Sequence, residues 1–346
     1  MEDNRFVIDT MQWSFSRING FYSNCRREWL EHYVKCEETC DSFDGQAGSV
    51  AHETLEAFFK GNISEVEMSQ YFEDLYKKEV SIACPYPNGD TKFPKILEFF
   101  DNFSFNKDKY EVLGVEKKVK FKIGKYDCVG YIDLLLKNKG TDEIILCDHK
   151  SSTIKVLKNG NISKSAQEHF LAFKRQQYLY SLEVLKEYGR VDKLAWNMFK
   201  DNTTISIPWD EKEFNETLKW AEDTIIAIEK ETEYPANPNY YYCSNLCSIR
   251  QNMTCPYKRL GMIYDGIYSK CFNVKNKEYE NYGALGIEMC SDWKNNKQEF
   301  FSWALENGYE DGLVLNRYDE TQGYDFFNCY WDKRDAYEEY YNPEEG

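Results

Sequence analysis

No run of eighteen or more apolar residues occurs in the 346-residue chain, so no segment qualifies as a transmembrane helix. The opening Met1-Glu2-Asp3-Asn4-Arg5 does not have the form of a signal peptide, and a cytoplasmic protein is expected. Histidine is scarce: His32, His52, His149 and His169 are the only four. Chemistry that needs an imidazole base is therefore excluded from the last 86 residues. Basic residues are the minority, 43 against 59 acids, for a net charge of −16. That balance opposes indiscriminate attraction to polyanions. Neither an internal repeat nor a low-complexity linker is visible, and the length allows one large domain or two. Cysteine, by contrast, is abundant. Twelve cysteines in a chain expected inside the cell point to metal ligation or plain burial, not to a disulfide framework.

The most informative residues are Asp133, Asp148 and Lys150. Asp127 to Lys137 and Glu143 to Lys150 alternate or run apolar like two adjacent strands. The polar Asn138-Lys139-Gly140-Thr141-Asp142 between them has turn chemistry. A hairpin folded about its middle sets Asp133 opposite Asp148. Alternation then puts Asp148 and Lys150 on one face and turns His149 away. Two carboxylates and an ammonium on one spot can hold a divalent metal, activate a water and stabilise charge on a phosphate. Asp148 and Lys150 alone would be explained by a structural ion pair. Asp133 would not: it interrupts Tyr-Ile-x-Leu-Leu-Leu, a strand with the look of burial on both faces, where an uncompensated carboxylate is costly.

Gly130-Tyr131-Ile132-Asp133 followed by Asp148-His149-Lys150 resembles the core of the PD-(D/E)XK nucleases, in particular their RecB-like branch. Three more segments fit, in the same order along the chain. Gly48 to Glu56, with His52, resembles the upstream histidine helix. Glu116 resembles the acidic residue that opens the first core strand. Gln176-Gln177-Tyr178-Leu179-Tyr180 resembles the Gln-x-x-x-Tyr helix after the core. The resemblance covers most of residues 20 to 260. It implies an α/β fold, a mixed central sheet flanked by helices, with a helical N-terminal region and a small C-terminal module. It implies Asp133, Asp148 and His52 as ligands of Mg²⁺ or Mn²⁺, Glu116 beside them, Lys150 on the attacking water, and Gln176 and Tyr180 orienting the strand. A histidine ligand favours Mn²⁺. The implied substrate is DNA, single-stranded or at ends, digested as by an exonuclease.

Cys243, Cys247 and Cys255 cluster near the end of this region, and Cys25 lies far upstream before Arg26-Arg27-Glu28-Trp29. The arrangement is similar to the iron–sulfur nucleases of the AddB and CRISPR-adaptation type, which implies a structural 4Fe–4S cluster on these four. Four thiolates also suit zinc. Such a site would close a loop of about 200 residues and restrict the unfolded chain. Three residues separate Cys243 from Cys247, where the family pattern has two.

The acidity is unevenly spread. Residues 261 to 346 hold 18 acids against 8 bases, whereas residues 107 to 175, which carry the proposed site, hold 15 bases against 9 acids. Lys117, Lys118, Lys120, Lys122, Lys155, Lys158, Lys164, Lys174 and Arg175 either line a phosphate path or form an ordinary solvated surface. Periodicity predicts helices over 11–35, 47–80, 92–104, 165–188 and 209–231, the sheet core over 111–150 and strands over 193–207. A nuclease domain is expected over residues 1–260 and an acidic module over 261–346.

Within that module, Tyr282 to Trp293 and the later Trp303, Gly323 and Asn328-Cys329 resemble a small HNH-type module of phage proteins, although Asn316 stands where that module has Asp. With no histidine it is expected to be non-catalytic. Cys271, Cys290 and Cys329 would bind zinc only with a fourth ligand and otherwise read as buried, and the module reads as a protein-binding or channel-covering element. A phage role in replication, recombination or DNA degradation, in the host cytoplasm, follows from that resemblance. The rival classes are an idle DNA-end-binding protein that keeps the nuclease fold, and an interaction protein whose acidic module mimics DNA.

Overall fold

A computed structural model describes residues 2–158, 160–238, 240–250, 255–310 and 312–333. Its described elements run, in chain order, α1 (Glu2–Asp9), α2 (Phe15–Ser23), α3 (Arg26–Tyr33), α4 (Phe43–Phe59), α5 (Met68–Glu79), α6 (Lys92–Asp101), β1 (Tyr110–Ile123), β2 (Tyr126–Asn138), β3 (Ile144–Lys150), α7 (Gln167–Tyr188), β4 (Lys193–Met198), β5 (Thr203–Pro208), α8 (Glu211–Lys230), α9 (Tyr240–Asn245), α10 (Pro256–Phe272), α11 (Ser291–Asn295), α12 (Lys297–Glu306), β6 (Val314–Arg317) and β7 (Cys329–Asp332).

The chain divides into two compact units. One comprises residues 1–24, 29–36 and 41–233; the other comprises 25–28, 37–40 and 234–346. The division expected at residue 260 falls inside α10. Pro256 at the first turn of that helix is a start signal readable in the sequence. No helix among the described residues is long and apolar enough to cross a membrane.

The first unit is built on a five-stranded mixed sheet in the order β1-β2-β3-β4-β5. The first three strands form an antiparallel meander, β4 runs parallel to β3, and β5 returns antiparallel. Parallel neighbours need a crossover, and α7 supplies it. Two expected helices are each divided. The 11–35 segment breaks at Asn24, the C-cap of α2. The 47–80 segment breaks after Gly61, left-handed at φ 79°, and resumes at Ser64, whose side chain forms a capping box with Glu67. The expected 193–207 run becomes two strands joined at left-handed Asn202.

Helices α4, α5 and α6 share a core of Val50, Leu55, Phe58, Met68, Phe72, Ile96, Phe99 and Phe100. Each fully buried large side chain there contributes about 1.5–3 kcal/mol. That core fixes α4, which carries His52. Ser42 caps α4, its hydroxyl accepting from Gly45 N at 3.0 Å.

The second unit has its own core of Leu260, Tyr264, Ile267, Trp293, Phe300, Phe301 and Trp303, with Cys271 and Cys329 buried among them. Those two cysteines are packing residues, as expected, whereas Cys290 is only part-buried against the same core. Glu28 is buried in this unit and is held by Ser248 N at 2.6 Å, Ser248 Oγ at 2.8 Å and the Tyr242 hydroxyl.

Candidate active site

Three neighbouring strands deliver three carboxylates to one row. Val115 pairs with Leu134 and Lys117 with Ile132, which sets Glu116 opposite Asp133. Leu134 pairs with Cys147, so the next position outward sets Asp133 beside Asp148. The expected register is therefore present, but the ladder opens at this row. Glu116 is left-handed at φ 47°, a conformation that costs a non-glycine residue on the order of 1 kcal/mol.

The left-handed residue reverses side-chain alternation. Lys117 reaches Glu187 on α7 at 2.6 Å. Val115, two residues earlier, packs with Leu134 and Phe59 in a separate cluster, which a regular strand would forbid. The irregular row thus aims Glu116 and Asp133 at α4.

At that point His52, Glu116 and Asp133 each offer a ligand atom within 4.8 Å of the others, the only such trio among the described residues. His52 Nδ1 lies 3.5 Å from Asp133 Oδ2, and the same oxygen accepts from His149 N at 2.7 Å. Burial lowers the pKa of His52, against the Asp133 charge that raises it. Burial likewise pushes His149 down to about 4. Both imidazoles are neutral near pH 7, the form that ligates metals. Burial, with Asp133 and Glu56 nearby, pushes Glu116 up to about 7.

Asp148 is 5% exposed. It stands next to the trio and is clamped by Lys150, whose ammonium lies 3.0 Å from Oδ1 and 2.8 Å from Oδ2. Burial pushes this carboxyl up to about 7 in spite of Lys150, and Asp133 adds to the shift. Its Oδ2, though close to the ammonium, is buried with no hydrogen-bond partner among the described residues. The trio, a neutral histidine with two carboxylates, fits a hard divalent cation, whereas Asp148, expected among the ligands, lies outside the trio and against Lys150.

Lys150 also donates to Gln176 Oε1 at 2.9 Å and lies 5.0 Å from the Phe173 ring centroid. Gln176 and Tyr180, four apart on α7, therefore face the strand row together, as their spacing predicts. Tyr180 packs on Gly130, where a Cβ would lie 2.2 Å from its ring. Space, not φ, demands that glycine. Gly130→Ala is expected to cost about 1–3 kcal/mol, read by denaturant unfolding, and to displace the Tyr180 and Gln176 pair.

A cleft of about 760 Å³ opens beside the trio, lined by Gly48, Glu53, Glu56, Lys60, Tyr71 and Ser151 among others. Glu56 and Lys60 were not singled out from the sequence, although they lie four and eight residues after His52 and so share its helical face. His149 was expected to point away. Its ring does leave the Asp148 face, but its backbone binds Asp133 and His52.

Cys25, Cys243, Cys247 and Cys255 all fall in the second unit. They are near enough for Cys25 and Cys243 to influence Cys247, and for Cys25 to influence Cys255. Yet no three of these sulfurs converge within 4.8 Å. Burial and the neighbouring Glu28 push the Cys247 thiol up to about 12. Cys25 Sγ accepts from Asn237 N at 3.4 Å. The four sulfurs are therefore not drawn together around a single ion such as zinc, and a 4Fe–4S cluster on them is not shown.

A family profile described as the PD-(D/E)XK nuclease superfamily matches residues 12–260. A solved structure of a candidate exonuclease from Eubacterium rectale is similar at 14% identity and a TM-score of 0.45, over 74% of this chain and 94% of that one. No curated protein matches the chain.

Proposed function

We propose that this chain, which belongs to the PD-(D/E)XK nuclease superfamily, is a divalent-metal-dependent deoxyribonuclease acting on single-stranded DNA or DNA ends. The observation that carries the reading is the convergence of His52, Glu116 and Asp133 next to the Lys150–Asp148 pair. His52, Glu116, Asp133 and Asp148 would hold Mg²⁺ or Mn²⁺, which when bound supplies Lewis acidity at the phosphate and acidifies a water. The neutral imidazole in this set favours Mn²⁺.

The chain's own groups account for the rest. Lys150, fixed by Asp148, Gln176 and the Phe173 ring, keeps its ammonium beside the reacting phosphate. There it orients the attacking water and stabilises the developing negative charge. Gln176 holds Lys150 in place. Tyr180, its pKa raised chiefly by burial and further by the charge of Asp148, remains a neutral phenol that orients the strand. The acidic second unit, with exposed Tyr318 and Phe327, takes the role of a non-catalytic protein contact.

The test is digestion of end-labelled single- and double-stranded DNA with Mn²⁺, with Mg²⁺ and with chelator. Metal-dependent loss of label, abolished by chelator, supports the nuclease, and the order of fragments gives exonucleolytic polarity. Intact substrate in every arm would shift the reading to a DNA-end-binding protein that keeps the fold.

A further inference from the structure

We propose that the outer face of the β1–β2 hairpin, carrying Lys118, Lys120 and Tyr131, is a track for single-stranded nucleic acid leading to the cleft at Glu116 and Asp133. The inference rests on the nuclease reading above and adds the route of the substrate strand.

Beyond Asp133 the hairpin outruns its neighbour. Pairing of β2 with β3 covers only Leu134 to Lys137. Farther out, Trp13 main chain bonds Asp127 O and Val129 N, each at 2.9 Å, so the hairpin is braced at its edge. Burial then alternates cleanly. Val119, Phe121, Ile123 and Cys128 are buried, with Phe121 and Gly130 against Tyr180. The opposite positions are exposed, or part-buried at Val129, and pair across the strands as Lys118 with Tyr131, Lys120 with Val129 and Lys122 with Asp127.

This face therefore presents ammonium groups every second residue, a stride of about 6.7 Å, close to one nucleotide of an extended strand. Lys122 is committed to Asp127 at 2.9 Å. Lys118 and Lys120 have no acidic partner among the described residues. Tyr131, 49% exposed, holds its ring 5.7 Å from the Lys118 ammonium. Cations beside an open aromatic ring suit a strand whose bases are unstacked, because a duplex keeps its base faces inside.

The placement also answers an electrostatic problem. Glu53, Glu56, Glu116 and Asp133 line the cleft and repel phosphates, and its Lys60 is paired to Glu56, so cations outside it add to the hold on the strand. Lys118 lies two residues from Glu116, and Tyr131 two from Asp133. The track begins where the acidic row ends.

The experiment measures binding of a fluorescent oligothymidylate to the full chain in chelator, where no digestion occurs, across a salt series. In Lys118→Thr/Lys120→Thr, threonine keeps the strand propensity, and the log–log salt slope should become shallower by about 1.4. Tyr131→Thr should weaken binding by about tenfold, and Tyr131→Phe should restore it. Blunt duplex should be indifferent to Tyr131. Slopes and affinities equal to wild type, or a wild type that does not bind, would overturn the track and leave these lysines as protection of the sheet edge. The two readings fail separately. Metal-dependent digestion with an unchanged salt slope in the variants removes the track and keeps the nuclease. Variant-sensitive binding by a chain that digests nothing does the reverse.

Discussion

Asp133→Asn is expected to lower DNA digestion by about 10³-fold or more while the folded chain becomes more stable in chelator. The substitution is nearly isosteric, and its amide oxygen can still accept from His149 N, the bond that Asp133 Oδ2 makes at 2.7 Å. What disappears is a charge shared among three partners. Asp133 belongs to the trio with His52 and Glu116, so the ligand set loses its central anion. The same charge helps to push up the carboxyls of Glu116 and Asp148, so its removal relieves repulsion in the empty site. Loss of activity paired with a higher melting temperature in chelator is the signature of a functional site that opposes stability. A variant equally inactive but less stable would show Asp133 to be a structural residue, and the catalytic assignment would fall. Thermal melts with and without Mn²⁺ sharpen the comparison: wild type gains stability from the ion, and Asp133→Asn gains little.

Much of this site is legible in the sequence because strands and helices impose short, regular periods. The Asn138 to Asp142 turn fixes where the second hairpin folds, and the register of Asp133 against Asp148 follows by counting. The spacing of four between Gln176 and Tyr180 predicts a shared face, and the structure places both beside the strand row. Glu116 marks the limit. Nothing in Val115-Glu116-Lys117 announces a left-handed residue, and without it alternation gives the wrong inner face for every residue before it. The pairing of Asp148 with Lys150 follows from their shared face, but its consequence, that Glu116 and not Asp148 joins His52 and Asp133 in the trio, does not follow from any local pattern. The cysteine spacing likewise located Cys25, Cys243, Cys247 and Cys255 in one unit but could not show Glu28 buried beside them, accepting three hydrogen bonds and, second to burial, raising the Cys247 thiol.

The division of labour within the row makes Lys150 the second decisive position. In Lys150→Met the side chain keeps its length and apolar stem and loses its charge. The ammonium is what restrains the upward shift of buried Asp148, so its loss raises that carboxyl above about 7 and leaves it protonated at neutral pH. Lys150 also lowers the pKa of His52 and His149, and without it both imidazoles take up protons more readily. Each change works against a cation, since ligands must be deprotonated carboxylates and neutral imidazoles. In wild type, Mn²⁺ affinity should fall as pH drops through about 7, where Glu116 and Asp148 gain protons. In Lys150→Met that acidic limb should move to higher pH. Digestion should fall by about 10²–10³-fold at pH 7 and recover only in part at higher pH, because alkali restores the ligands but not the charge that orients the water. Calorimetric Mn²⁺ titrations over a pH series separate the two effects. A limb that stays in place in the variant would mean that Lys150 does not govern Asp148, and its role would reduce to the chemical step alone.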